Sequence, residues 1–257
     1  MSTFALVAHQ LRYDQKAFWR NPAAVFFTVM FPVVVFLILA IVFDGSIVEA
    51  HDTRIEATTY YVPAIMALSV ISATMQTLAM TLVIAREDGR LKRGRGTPMP
   101  AWVFIAGRIG NSIVVTVLML ALLATIGWLL YSVPFPWERL PEMLITLVIG
   151  AASFCCLGIA LTAVIPSQDA AAAIVNALLL PLYFLSGIFI PEDELPGGVI
   201  SFANHFPVRP FFEAFFQSYV PGTGAAIAWH ELLVVGIWGI AGLLLAIRFF
   251  RWTPRQG

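Results

Sequence analysis

The sequence predicts an all-α membrane protein, and three observations predict it. Only 12% of the 257 residues are charged, where a soluble domain carries roughly a quarter. The mean hydropathy is +0.86, and the apolar residues gather into uncharged runs long enough to cross a bilayer. The remaining charges are sorted by sign among the segments between those runs. Together these features predict one membrane domain over residues 1–257. It has six transmembrane helices, an amphipathic N-terminal interface helix, and an outer re-entrant helical hairpin between helices 5 and 6.

The first element, residues 1–21, carries Phe4, Val7, Leu11 and Phe18 at roughly helical spacing, with Arg12, Lys16 and Arg20 elsewhere around the helix. Such a helix lies in the inner headgroup plane. No cleavable signal peptide is expected, because the first residues hold no apolar core followed by a small-residue cleavage site. A spanning helix needs about 20 mostly apolar residues. Six segments qualify: Pro22–Phe43, Thr59–Ala85, Val103–Tyr131, Met143–Ile165, Ala170–Ile190 and Ala225–Phe250. Arg108 and Glu231 stand near the starts of the third and sixth, close enough to an interface to snorkel toward water.

Orientation follows from basic residues in short loops. With the N-terminus in the cytoplasm, 12 of the 15 basic residues lie inside, and only Arg54, Arg139 and Arg209 lie outside. Of the acids, only Asp14, Glu87, Asp88 and Asp169 lie inside. The predicted protein is therefore multi-pass in the cytoplasmic membrane, with both termini cytoplasmic. Trp19, Trp102 and Trp252 fall near the inner boundary, and Trp128, Trp137 and Trp229 near the outer one, as aromatic belts require. Cys155 and Cys156 are adjacent within an apolar run, so they read as packing residues rather than a disulfide or metal framework.

Two segments between helices stand out. The inner loop REDGRLKRGRGTPMP, residues 86–100, concentrates Arg86, Arg90, Lys92, Arg93 and Arg95. It either holds its hairpin inside and attracts anionic lipid, or docks a cytoplasmic protein through a short helix from Glu87 to Leu91, with its cations pairing acids on the partner. The outer segment, residues 191–224, contains PEDELPGG and then Phe202, Phe206, Phe211, Phe212, Phe215 and Phe216, interrupted by Pro207 and Pro210. Two short apolar helices broken by prolines predict a hairpin dipping into the outer leaflet, its backbone shielded by protein or water; the alternative is a folded cap lying on the surface.

Enzyme signatures are absent: no H-E-x-x-H, G-x-S-x-G or G-x-x-x-x-G-K-[ST] occurs. The middles of the six runs carry no Asp, Glu, Lys or Arg, which disfavours an ion-coupled secondary transporter. A membrane-embedded enzyme or assembly factor is disfavoured by the missing catalytic clusters. No nucleic-acid partner is expected.

Three features resemble the permease subunits of type-2 ABC exporters, the ABC-2 membrane family. The inner loop is similar to a family pattern E-x-G-x-L-x-x-L-R-x-T-P-x-P and stands here as Glu87, Gly89, Leu91, Lys92, Arg93, Arg95, Thr97, Pro98 and Pro100. LSGIFIPEDELP, from Leu185 to Pro196, resembles the pattern L-S-G-x-x-x-P-x-x-x-L-P. The order of helices and the long last outer loop agree along the whole chain. Gly94 departs from the family, which has a large apolar residue there. Gly94 and Gly96 each weaken a helix by roughly 1 kcal/mol against Ala, so a coupling helix should end near Lys92.

The resemblance implies a drug, antibiotic or lipid-linked exporter in which this chain is no enzyme and binds no cofactor itself. ATP and Mg would sit on cytoplasmic P-loop subunits, two in number, beside a second permease copy or close paralogue. Coupling to the ATPase would use Glu87, Gly89, Arg90, Leu91, Lys92 and Arg93. The substrate path would take Ser69, Ser72 and Gln76 from the second helix, on one face at i, i+3, i+7 spacing, and Asn176, Tyr183 and Ser186 from the fifth. Phe206, Phe211 and Phe212 would stand at its outer gate.

Overall fold

The computed structural model describes residues 3–50, 53–91 and 101–250. Lys92, Arg93, Gly94 and the rest of the basic loop to Pro100 lie outside the described residues, as does the expected end of the coupling helix.

Among the described residues the chain is mostly helical, and five helices are long and apolar enough to cross a membrane. The first element is α1 (Thr3–Trp19). Next, α2 (Pro22–Val25) passes through a π turn (Phe26–Met30) into α3 (Phe31–Val42). The expected first span is thus assembled from short pieces, and its apolar stretch, Phe26–Val42, is shorter than the five long helices.

The loop that follows adds one small hairpin to a mostly helical chain. It contains β1 (Ile47–Ala50) and β2 (Thr53–Glu56), antiparallel, with Val48 opposite Ile55 and Glu49 opposite Arg54. Ile47, Val48 and Ile55 are β-branched and fit a pleated surface. Strands this short leave little trace beside apolar runs five times longer.

The centre of the fold is a rod of 31 residues: α4 (Ala57–Ile71), a π turn (Ser72–Gln76) and α5 (Thr77–Glu87). Every α4 residue except Thr59 is buried. A helix apolar all round belongs inside, and the others surround this one. They are α6 (Ala101–Tyr131), α7 (Leu140–Leu161), α8 (Gln168–Leu185), the short α9 (Gly197–Ala203) and α10 (Val208–Tyr219), and α11 (Trp229–Phe249). Their outward faces remain apolar, as with Ile237, Ile240, Leu244 and Ile247 on α11.

Small residues set the closest approaches, as in other membrane helix pairs. Gly239 and Gly242 of α11 sit against Ser153 and Leu157 of α7, and Gly158 of α7 sits against the Met75 carbonyl in the central π turn. Gly107 and Gly110 face Gln10 and Leu11, so α1 docks along the start of α6. On the other side, α10 buries Phe211, Phe212, Phe215 and Phe216. Phe211 meets Phe154 edge-on at 5.2 Å, and Phe216 meets Tyr60 at the same centroid distance.

Candidate functional site

One π turn lies within the rod and the other joins α2 to α3. A π turn closes i→i+5 bonds and accumulates at functional positions. Here Thr77 N–H donates to the Ser72 carbonyl, and Phe31 N–H to the Phe26 carbonyl. The first turn touches the start of α5: the Thr28 and Thr77 hydroxyls lie 3.3 Å apart.

Ser72 and Gln76 bound the central π turn and reach α8. Gln76 Nε2 donates to Asn176 Oδ1 at 2.9 Å, and the Ser72 and Tyr183 hydroxyls lie 3.4 Å apart. Asn176 and Tyr183 are seven residues apart, two turns of one helix, so they share a face. Sequence reasoning named these four residues, and the structure joins them in a polar seam between the rod and α8. The seam is buried at Ser72 and Tyr183 and opens at Asn176, beside the exposed Ala172, Ala173, Ala177, Leu180 and Phe184.

Ser69 and Ser186, expected on the same path, are not brought into the seam. Each is buried and donates its hydroxyl within its own helix end, Ser69 to the Ile65 carbonyl at 2.7 Å and Ser186 to the Tyr183 carbonyl at 2.7 Å. Serine in an apolar helix commonly back-bonds this way. The three phenylalanines expected at an outer gate also separate. Phe206 packs on Phe202 and Trp238 and is half-buried, whereas Phe211 and Phe212 lie in the core.

At the C-terminal end of the rod, Glu87 closes α5, Asp88 caps it, and Gly89 turns the chain at φ +68°. That left-handed conformation favours glycine. Helical geometry resumes at Arg90 and Leu91, so Glu87 to Leu91 is two pieces, not the single short helix expected. Arg90 is half-exposed and pairs with Asp88; Leu91 is buried. Arg86 is 2% exposed, with Nε bonded to Glu87 Oε1 at 2.8 Å. Its Nη1 donates to the Thr162 carbonyl at 2.9 Å, and its Nη2 to the carbonyls of Ile165 at 2.9 Å and Pro166 at 3.3 Å. Lys92 and Arg93 lie outside the described residues.

Beside this root, Asp14 of α1 sits 3.6 Å from Arg108 of α6 and accepts from Gln10 Nε2 at 3.1 Å. Burial raises the Asp14 carboxyl above its ordinary value, against the pull of Arg108. Among the described residues, no group of three or more His, Cys, Asp or Glu could hold a metal ion. The seam offers neutral donors and acceptors between apolar walls, and the root offers charge at one end of the rod.

A family model described as ABC-2 type transporter matches residues 5–220, taking in the seam, the root and α10. The chain belongs to the ABC-2 type transporter family. Among its relatives, this ABC-2 chain is 22% identical over 182 residues to the "Probable multidrug ABC transporter permease YbhR" of Escherichia coli (strain K12), covering 71% of this chain and 49% of that one. It therefore spans about half the length of that relative. It is 20% identical over 246 residues to the "Putative transport permease YvfS" of Bacillus subtilis (strain 168), covering 95% and 94% of the two chains. The ABC-2 chain is thus a multi-pass membrane protein of a transporter family.

Three features of this ABC-2 chain escaped sequence reasoning. Arg86 reads in sequence as loop charge, and the signal that sets it apart is its place at the end of an apolar run, one residue before an acid. The Asp14–Arg108 pair joins residues far apart in sequence, with only their rarity among apolar neighbours to mark them. Arg209, 4% exposed, binds Glu192 at 2.9 Å and Asn204 Oδ1 at 2.8 Å, tying α10 to the segment before it.

Proposed function

We propose that the chain is the transmembrane subunit of an ATP-driven exporter that moves an amphipathic or hydrophobic compound, such as a drug, an antibiotic or a lipid-linked molecule, out through the cytoplasmic membrane. The observation that carries the reading is the seam of Ser72, Gln76, Asn176 and Tyr183. It provides uncharged hydrogen-bonding groups between two long apolar helices and opens on an exposed face of α8. Such a surface suits a cargo with a neutral polar part and a large apolar part. The multidrug wording attached to YbhR supports the same class of cargo.

In this reading Pro22–Phe43 completes six spans, both termini face the cytoplasm, and residues 191–224 form a re-entrant hairpin at the outer side. A second permease copy or close paralogue covers the exposed faces of α3 and α8. Two P-loop subunits hold ATP and Mg and press on α1 and on the segment from Glu87 through Lys92 and Arg93. The described spans keep their charges near their ends, so energy for uphill movement enters from those subunits.

The test is purification of the tagged chain from its native membrane, followed by transport in reconstituted vesicles. Copurification of an ATP-binding subunit, with transport that requires ATP, is expected. Transport by the lone chain in nucleotide-free vesicles overturns the reading.

A further inference from the structure

Arg86 is the bulkiest fully buried side chain among the described residues, and it is a cation. A topological charge in a loop needs only to face water. This one is withdrawn from water and held by a matched set of acceptors, which a merely inward-facing arginine does not require.

The acceptors share one location. Thr162 caps the C-terminus of α7, and Ile165 and Pro166 lie in the turn that leads to α8, which begins at Gln168. The last carbonyls of a helix lack partners within it and carry the negative end of its dipole. The planar guanidinium fork answers that geometry with several donors at once, which a lysine ammonium does not reproduce. Glu87 takes the remaining Nε–H. The guanidinium therefore fastens the end of the rod to the end of α7 and to the turn at the base of α8.

Two consequences follow from position. On one side, Glu87, Gly89, Arg90 and Leu91 continue directly from Arg86 into the cytoplasmic root. On the other, α8 carries Asn176 and Tyr183, half of the polar seam. The rod bonds α8 itself at two heights, through Gln76 and Ser72, and Arg86 holds the turn that leads into α8, nearest the root.

We propose that Arg86 is the positioning residue that passes displacement of the Glu87–Leu91 root to the base of α8, so that the seam responds to events at the cytoplasmic surface. The proposal rests on the reading in which nucleotide-binding subunits move that root. It requires a residue that neither touches cargo nor contacts the ATPase, yet whose loss disconnects the two.

The test is hydrogen exchange by mass spectrometry on the intact permease–ATPase complex in nanodiscs, with and without a non-hydrolysable ATP analogue. In the wild-type complex the nucleotide is expected to change exchange in peptides covering residues 84–91 and 162–172 together. In Arg86→Gln the change at the first peptide persists and the change at the second is lost. Arg86→Lys keeps the charge but not the fork and retains less than half of the second response. A variant with full response at residues 162–172 overturns the proposal, because a structural filler would leave that readout intact. Should Arg86→Gln fail to assemble, the lysine variant and the wild type decide: a wild-type nucleotide response at the root with none at the α8 base also overturns it. Failure of the functional reading looks different. In that case no ATPase copurifies, or the root itself ignores nucleotide, and this proposal falls with it.

Discussion

The Ser72 and Tyr183 hydroxyls face each other across 3.4 Å inside the molecule, joining a π turn of the central rod to α8. Both residues are buried, so neither hydroxyl can turn to water instead. Hydrogen bonds between membrane helices average about 0.6 kcal/mol. A double-mutant cycle of Ser72→Ala and Tyr183→Phe should return a coupling energy of about that size. Unfolding in mixed micelles measures it, and purely additive losses would show that the contact is incidental.

Gln76 stands at the mouth of the seam. Gln76→Trp is expected to change transport, or cargo-stimulated ATP hydrolysis by the complex, at unchanged membrane expression. Transport equal to the wild type would remove Gln76 from the cargo surface.

Packing of α11 on α7 depends on missing side chains. A Cβ at Gly242 would lie 2.9 Å from the Leu157 backbone nitrogen, where nothing flexible can yield, whereas a Cβ at Gly236 meets nothing within 4 Å. Overpacking costs typically about 1–3 kcal/mol. Gly242→Ala should therefore lower the melting temperature, and Gly236→Ala should not. Equal behaviour of the two variants would refute this account of the interface.

The docking of α1 on α6 should respond to pH with a definite sign. Desolvation lifts the Asp14 carboxyl above 3.8, outweighing Arg108, Gln10 and the more distant Arg90. A carboxyl whose folded pKa is raised contributes stability that is full below its unfolded pKa and is lost as pH rises through the raised value. Acidification from neutral toward that range thus tightens α1 rather than releasing it. Spin-label distances between α1 and α6 should narrow as pH falls, and Asp14→Asn should flatten the trend. Widening on acidification would contradict the assignment.

Reversing Arg90, Lys92 and Arg93 to Glu should weaken copurification of the ATP-binding subunit, because cations on a docking surface steer and orient an acidic partner. Wild-type association would leave these residues with a topological role only.

Much of the fold was legible because a bilayer imposes a length and a polarity on each segment independently. The five long helices coincide with apolar runs to within a few residues, since in hydrocarbon a helix satisfies every backbone group internally. The four seam residues were legible for a related reason: neutral polar side chains stand out in apolar helices, and their spacing assigns them to faces. Ser69 and Ser186 bear the same mark in sequence yet bond their own helix ends. Nothing local distinguishes a serine that reaches a neighbour from one that bonds its own backbone.

The sequence by itself determined the membrane class, the helical runs, the sorting of charge between their ends and the family pattern, because each depends on residues close together in the chain. Only the tertiary structure decided that Arg86 leaves the loop for the base of α8, that Asp14 finds Arg108, that Phe211 and Phe212 fill the core, and that Ser72 meets Tyr183. Those outcomes depend on which distant surfaces pack together. A buried charge or hydroxyl is stable only where a particular partner waits, and the identity of that partner is a property of the assembled fold.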